Sequence, residues 1–183
     1  VCSSDLGAGE DGRVIIATED RAITEAVKPY NVEVIETEPV HNGTERVALT
    51  AKALDLYEGP IVNLQGDALL TDPQTIRDIV DVYQDRNPDG GTDFPNVVTP
   101  VIECDGDAMR LLDAGGIGGA VYTAIDFYDH ALYFSRSLLY SDRKRLYQHL
   151  GLYVYSREAL DQYILHEPAG LETAERLEPT RFR

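Results

Sequence analysis

Cysteine, lysine and long apolar runs are scarce in this sequence of 183 residues. The two cysteines, Cys2 and Cys104, are too few for a disulfide framework and lack metal-ligand spacing, which indicates a reducing compartment. No run approaches the roughly 18 apolar residues of a membrane span, and the first residues lack the basic and apolar regions of a secretion signal. These absences predict a cytoplasmic protein.

Basic residues are half as numerous as acidic ones. The chain has 16 Lys plus Arg against 32 Asp plus Glu, for a formal net charge of -16. Such a surface repels phosphate backbones and anionic lipids, so nucleic acids and membranes are excluded as general partners. An anionic ligand would need a local pocket of Arg, His and backbone N–H groups, or a divalent cation that bridges like charges.

The first half of the chain alternates strand and helix patterns, and the second half adds an antiparallel hairpin. The predicted strands and helices are, in order, a strand at 14–17, a helix capped by Thr18 or Asp20, a strand at 32–35, a helix begun by Thr44, a strand at 61–64, a helix from Thr71-Asp72-Pro73, a strand at 97–102 interrupted by Pro100, a hairpin of 121–126 with 131–135, a strand through 150–155, a helix capped by Ser156 and a final helix at 171–177. This order predicts a mixed, mainly parallel α/β sheet flanked by helices, with ligands at the carboxyl ends of its parallel strands.

Residues 1–12 are predicted to be a lead-in outside the domain, and residues 13–183 a single domain. The lead-in contains Gly7-Ala8-Gly9-Glu10-Asp11-Gly12, the letters of a dinucleotide fingerprint. The fingerprint requires a strand before it and a helix after it, whereas this stretch precedes a strand, so we interpret it as a flexible segment.

Asp67 is the strongest candidate for a metal-binding residue. It follows the apolar strand 61–64 in the sequence Gln65-Gly66-Asp67, where Gly66 allows a ligand to approach the backbone. A carboxylate at that edge suits Mg²⁺, although a solvated aspartate in a turn is an equal alternative from spacing alone.

Two basic side chains follow strand patterns later in the chain. Arg136 comes directly after the strand ending at Ser135, where it is either an anion-binding residue or a surface arginine. His149 precedes Tyr153 by four residues, which predicts both side chains on one face of a strand.

Six segments, in this order, resemble the cytidylyltransferases that make CMP-activated acidic sugars, especially the 3-deoxy-manno-octulosonate cytidylyltransferases, or CMP-Kdo synthetases. The segments are RVIIATED at 13–20, HNGTERVA at 41–48, IVNLQGD at 61–67, ALYFSR at 131–136, QHLGLYVYSREAL at 148–160 and GLETAERLEPTRF at 170–182.

The resemblance implies a nucleotidyltransferase of the glycosyltransferase-A-like, Rossmann-like type, usually a homodimer, that uses CTP and Mg²⁺. The anomeric hydroxyl of an acidic sugar attacks the α-phosphate of CTP and pyrophosphate leaves, for lipopolysaccharide or other cell-surface glycan synthesis. CTP and a sugar acid are both anions, so Mg²⁺ resolves the conflict with the acidic surface.

Site residues also follow from the resemblance. It assigns Asp67 to Mg²⁺ and catalysis, and Gln65 to the sugar side of the catalytic centre. It places Thr44, Glu45 and Arg46 at the nucleotide. The residues that it implies hold the sugar acid are Arg136, His149, Tyr153 and Glu178.

The chain departs from the family at several points. Family members commonly read QGDEP and LEQLR where this chain has Gln65-Gly66-Asp67-Ala68-Leu69 and Leu177-Glu178-Pro179-Thr180-Arg181, so the sugar acid is open. The family's basic, Gly-containing first loop and its second metal-binding aspartate have no counterpart here, and the first residue is Val1, so we expect an incomplete chain that is inactive alone. A non-catalytic nucleotide- or sugar-binding module and a sialic-acid cytidylyltransferase are the alternatives.

Overall fold

The structure is a computed structural model that describes residues 12–68, 70–86, 97–105, 119–137 and 146–182. It contains two compact units. The first unit holds the described residues up to Thr99 together with Gly151–Glu167, and the second holds those of 100–150 and those from Pro168 onward. The predicted lead-in lies outside the described residues except for Gly12, and the single domain at 13–183 stays a prediction.

Helices and strands follow the predicted order, except that β8 was not predicted and that two strands, β4 and β5, stand in place of the one predicted at 97–102. The described elements are β1 (Ile15–Thr18), α1 (Arg21–Val27), a 3₁₀ helix (Lys28–Tyr30), β2 (Glu33–Glu36), α2 (Gly43–Ala53), β3 (Ile61–Leu64), α3 (Pro73–Arg86), β4 (Val97–Val98), β5 (Val101–Cys104), β6 (Val121–Ile125), β7 (Ala131–Ser135), β8 (Leu146–His149), β9 (Leu152–Tyr155), α4 (Arg157–Leu165), α5 (Gly170–Glu175) and a 3₁₀ helix (Glu178–Arg181).

Two sheets form the first unit. β1 and β2 pair in parallel, with Ile15 opposite Glu33, and α1 connects them. The second sheet has the order β3-β9-β4, in which β9 lies antiparallel to both neighbours. One face of this sheet packs on α3, whose side chains Ile79, Val80 and Tyr83 are buried against Val62 and the apolar residues of β9. Burial of this apolar face stabilises the sheet that carries Gln65 and Asp67 at its edge.

Helix caps explain where the helices of the first unit begin and end. The side chain of Asp20 accepts from the backbone N–H of Ala22 at 2.8 Å, and Ser156 accepts from Ala159 at 3.0 Å, as predicted. At the other end of α2, the buried Arg157 of α4 donates to the carbonyls of Ala51 and Leu56, both at 3.1 Å. The pairing of α2 with α4 therefore includes hydrogen bonds as well as apolar packing.

The second unit is built on a four-stranded antiparallel sheet in the order β5-β8-β6-β7. The predicted hairpin is present as β6 and β7. Tyr122 on β6 and Leu146 on β8 are buried and form a small core. The last part of the unit is α5 and the second 3₁₀ helix, which contacts β7.

The prediction of a mixed α/β fold is confirmed, but the described strand pairs are not mainly parallel. Only β1 and β2 pair in parallel in the part of the chain that the structure describes. β9 inserts antiparallel between β3 and β4, and Pro100 ends the predicted strand 97–102 in its middle, which leaves β4 and β5 at edges of different sheets. Among the described helices, none is long and apolar enough to cross a membrane.

Candidate active site

A tight turn follows β3 and carries the predicted catalytic residues. The backbone N–H of Ala68 donates to the carbonyl of Gln65 at 3.0 Å, so residues 65–68 close on themselves directly after the strand. Asp67 is exposed at this turn. A Cβ atom at Gly66 would meet nothing within 4 Å, so the space beside the turn is open. The carboxylate of Asp67 is therefore accessible to a ligand.

Gly151 lies beside Gln65, where β9 begins. Its φ of 68° is in the left-handed region that glycine adopts without strain, and a Cβ atom there would lie 3.6 Å from Oε1 of Gln65. The same turn of the backbone separates β8 from β9. His149 ends β8 and Tyr153 lies within β9, so the prediction that both share one face of a single strand is wrong.

Two hydrogen bonds fix the start of α2, the predicted nucleotide-binding segment. Oδ1 of Asn42 accepts from the backbone N–H of Glu45 at 2.9 Å, which makes Asn42 the N-cap. The prediction that Thr44 begins this helix is therefore wrong by two residues. Thr44 is instead fully buried in the first turn, and its hydroxyl lies 2.8 Å from the hydroxyl of Tyr155.

The side chains of Glu45 and Arg46 contact polar groups outside α2. Oε2 of Glu45 accepts from the backbone N–H of His41, the residue before the N-cap, at 3.0 Å. Nη1 of Arg46 donates to the hydroxyl of Thr37, and Nη2 lies 3.2 Å from the carboxylate of Glu19. Glu19 and Thr37 directly follow β1 and β2, so Arg46 lies at the carboxyl ends of the parallel strands, where the fold was predicted to bind ligands.

β9 presents two stacked tyrosines to the same face of the sheet. The rings of Tyr153 and Tyr155 are nearly parallel, with centroids 5.5 Å apart, and both are buried. Asn63 pairs with Tyr153 across the sheet and is also buried, at 1% exposure. Tyr153 therefore lies beside Asn63 of β3, and Asn63 precedes Gln65, the first residue of the turn, by two positions.

The donor chemistry at Asp67 suits a magnesium–nucleotide complex better than a bare cation. Among the described residues, no group of three or more His, Cys, Asp or Glu side chains could hold a metal ion. Mg²⁺ is usually held through one or two carboxylates together with substrate phosphates, and keeps several waters. One exposed carboxylate beside open space fits that mode.

In the second unit, Arg136 caps a helix. Its Nε donates to the carbonyl of Glu175 at 2.9 Å, and its Nη2 donates to the carbonyl of Arg176 at 3.3 Å. These carbonyls lie at the C-terminal end of α5, where a cation is favoured by the helix dipole. The guanidinium is exposed, so these bonds set its direction while leaving it accessible.

His149 is a buried, neutral histidine. It is 7% exposed and meets the ring of Phe134 edge to face, with centroids 5.4 Å apart. Burial lowers the pKa of His149 from 6.5 to about 4, so its imidazole carries no charge at neutral pH. His149 can donate or accept a hydrogen bond there, but it does not supply a positive charge to a sugar carboxylate.

Glu178 begins the second 3₁₀ helix and is half-buried. A buried ion pair ties this helix to α5: Arg181 donates from Nε to Oε2 of Glu172 at 2.7 Å and from Nη2 to Oε1 at 2.5 Å. The two-point geometry fixes the orientation of both side chains. Glu172 and Arg181 therefore support the segment that carries Glu178.

Several of these supporting residues were not predicted. Glu19, Thr37, Tyr155 and Arg181 contact predicted site residues or the segments that carry them. The separation along the chain ranges from nine positions, for Thr37 and Arg46, to 111 positions, for Thr44 and Tyr155. For Glu19 and Thr37 a usable signal existed, because both directly follow strands that were predicted to be parallel neighbours. Nothing in the sequence pattern pairs Tyr155 with Thr44.

Comparison with known proteins identifies the family. The cytidylyltransferase family model matches residues 5–182. This chain belongs to the cytidylyltransferase family. The predicted resemblance and the predicted enzyme class, a nucleotidyltransferase, are thereby confirmed.

Curated relatives of this cytidylyltransferase include two bacterial proteins of one name. The 3-deoxy-manno-octulosonate cytidylyltransferase of Chlorobium limicola is 35% identical over 93% of this chain and 67% of that protein. The protein of that name from Rhizobium etli is 34% identical over 93% of this chain and 66% of its own length. The chain thus spans about two thirds of the length of these relatives.

A solved structure shares the fold of this cytidylyltransferase. CMP:2-keto-3-deoxy-manno-octonic acid synthetase complexed with CTP superposes with a TM-score of 0.78 and 26% sequence identity, covering 96% of this chain and 69% of that one. The likeness extends over nearly the whole chain.

Proposed function

We propose that this cytidylyltransferase activates an acidic sugar, 3-deoxy-manno-octulosonate or a close relative, by transferring the cytidylyl group of CTP to its anomeric hydroxyl. The hydroxyl oxygen attacks the α-phosphorus, pyrophosphate leaves, and the CMP-sugar serves lipopolysaccharide or other cell-surface glycan synthesis. The observation that carries the proposal is the likeness over nearly the whole chain to proteins of this name, one of them solved with CTP. The cytoplasmic location stays a prediction.

The first unit supplies the residues for the nucleotide. Arg46 lies at the carboxyl ends of β1 and β2 and offers a cation to the phosphates, while Glu45 and Thr44 hold the first turn of α2 in place. Gln65 and Asp67 lie in the accessible turn after β3. Positioning and charge stabilisation are the main tasks of an enzyme in phosphoryl transfer, and these residues suit both.

Asp67 would hold Mg²⁺ together with the phosphates of CTP. When bound, the ion supplies positive charge to the phosphoryl oxygens as negative charge develops on them. The accessible carboxylate beside open space supports this role.

The second unit supplies residues for the sugar acid. In the first unit, Tyr153 keeps the sugar-binding role that the resemblance implies. The exposed guanidinium of Arg136 suits a carboxylate. His149, which is neutral, offers a hydrogen bond to a hydroxyl or carboxylate oxygen, and Glu178 accepts from sugar hydroxyls. Because Ala68 and Pro179 depart from the family pattern, a modified sugar acid is also compatible with the site.

Beyond a mixed α/β fold, we propose for the first unit a sheet of mainly parallel strands, as in glycosyltransferase-A-like folds. It is supported by α2, which packs against both β1 and β3. β3 and β4 are parallel to each other because both lie antiparallel to β9.

The homodimer is proposed on the basis of the β6–β7 hairpin. Phe127 and Tyr128 at its turn and Leu132 on β7 are exposed, at 92%, 67% and 66%. Exposed apolar side chains of this size in one hairpin suit a second copy of the chain. Light scattering after size exclusion should give twice the monomer mass, and Phe127→Ser with Leu132→Ser should give the monomer mass.

The test of the function is pyrophosphate release by the protein that contains this chain, with CTP, Mg²⁺ and 3-deoxy-manno-octulosonate. Asp67→Asn should abolish release, whereas Asp81→Asn, an exposed aspartate of α3, should retain it. Unchanged turnover in Asp67→Asn would refute the assignment. CTP binding without pyrophosphate release would favour a binding module, and turnover of sialic acid alone would favour the sialic-acid cytidylyltransferase.

A further inference from the structure

The first turn of α2 is attached to two tyrosines from distant parts of the chain. Nδ2 of Asn42 donates to the hydroxyl of Tyr163 on α4 at 2.9 Å. The hydroxyl of Thr44 lies 2.8 Å from that of Tyr155 on β9. The N-cap and the second helical residue are thus both bonded to phenol hydroxyls.

The Thr44–Tyr155 contact is buried, and the Asn42–Tyr163 contact is part-buried. Thr44 and Tyr155 are both 0% exposed, and Tyr163 is almost as buried. Tyr155 lies on the central strand of its sheet and stacks on Tyr153. The loss of a hydrogen-bond partner costs more folding free energy for a buried polar group than for an exposed one. The hydroxyls of Tyr155 and Tyr163 therefore favour one position for the start of α2.

Arg46 depends on that position. It lies in the first turn of α2, two residues after Thr44. Its guanidinium reaches Thr37 and Glu19, which follow two other strands. A small shift of the helix start would therefore move the guanidinium away from both neighbours. Misplacement of a charged group by a fraction of an ångström weakens phosphate recognition.

We propose that Tyr155 and Tyr163 are positioning residues that fix the first turn of α2 and, through it, the guanidinium of Arg46 for the phosphates of the nucleotide. The inference rests on the proposed function. Phenylalanine in place of either tyrosine would fill the same space without the hydroxyl, so the positioning depends on the two hydroxyls.

The experiment compares Tyr155→Phe and Tyr163→Phe with Tyr122→Phe, a buried tyrosine of the second unit. Each variant is made in the protein that contains this chain, and CTP affinity is measured by calorimetry with Mg²⁺ beside KM and kcat. We expect each of the first two to weaken CTP binding and raise its KM about three- to tenfold, the worth of one hydrogen bond, with kcat within about twofold. Tyr122→Phe should leave CTP affinity unchanged.

A double-mutant cycle separates positioning from general destabilisation. In the Arg46→Ala background, Tyr155→Phe and Tyr163→Phe should no longer change CTP affinity, because the residue that they position is gone. An equal loss in both backgrounds, or a fall in melting temperature with no loss of CTP affinity, would overturn the positioning role. A wild-type protein that neither binds CTP nor releases pyrophosphate would overturn the proposed function itself.

Discussion

Arg46 and Glu19 form an ion pair at the carboxyl end of β1, with Nη2 of the arginine 3.2 Å from the carboxylate. The arginine side chain is mostly buried, at 18% exposure, while that of Glu19 is 44% exposed. The pair orients the guanidinium, but it also places a negative charge beside the residue proposed to meet phosphates.

Glu19→Gln should therefore tighten CTP binding. Glutamine can still accept from Arg46, while the repulsion between a carboxylate and the phosphates is removed. We expect about two- to fivefold higher affinity at low salt, less at high salt, with a change in unfolding free energy below about 1 kcal/mol. Calorimetric titration with CTP and Mg²⁺ measures the effect. Glu33→Gln, which removes the charge from the exposed pair with Arg13, is the control, and weaker binding in Glu19→Gln would contradict the prediction.

Removal of one member of the Glu172–Arg181 pair should destabilise the second unit strongly. Both side chains are less than one tenth exposed, so a lone survivor would be a buried, uncompensated charge. Arg181→Met should lower the free energy of unfolding by about 3 to 5 kcal/mol, as measured in urea.

The double variant Glu172→Leu with Arg181→Met should lose much less stability, because no charge then remains buried. Arg13→Met breaks an exposed pair with similar two-point geometry and should cost at most about 1 kcal/mol. Equal costs for Arg181→Met and Arg13→Met would show that burial does not govern the pair.

Local features of the fold could be predicted from the sequence. β3 has the predicted bounds, and Asp20 and Ser156 cap their helices, because a short apolar run and an N-cap residue act within a few positions of the chain. The hairpin follows from the short segment, 127–130, between its two predicted strands.

Pairing and burial could not be predicted in the same way. Every residue of β9 is buried, so its apolar pattern is the same for parallel and antiparallel partners. Asn42 and Thr44 are both good N-cap residues, and the hydroxyl of Tyr155, over a hundred positions away, engages Thr44 inside the helix. The burial of His149 likewise depends on Phe134 from another strand.

The depressed pKa of His149 should make stability depend on pH between about 4 and 6.5. In that window the unfolded chain binds a proton at His149 and the folded chain does not, so stability falls as the pH drops from 6.5 towards 4 and is unaffected by this group above 6.5. The full effect is about 3 kcal/mol.

Urea unfolding of the wild type and of His149→Gln at a series of pH values isolates this contribution, since the carboxylates titrate alike in both proteins. The stability difference between them should change with pH in the window and be constant above it. A ring carbon resonance of His149 that titrates near 6.5 in the folded protein would contradict the burial argument.

Asn63 should limit the stability of the first unit. Its side chain is 1% exposed, and its Nδ2 is buried with no hydrogen-bond partner among the residues that the structure describes. A buried donor left without a partner costs about 1 to 3 kcal/mol, and leucine has nearly the same shape without the polar atoms. Asn63→Leu should therefore raise the free energy of unfolding by up to that amount, whereas Asn63→Asp, which buries a charge beside Tyr153, should lower it. Chemical denaturation of both variants decides the matter: a less stable Asn63→Leu protein would mean that the amide is hydrogen-bonded in solution.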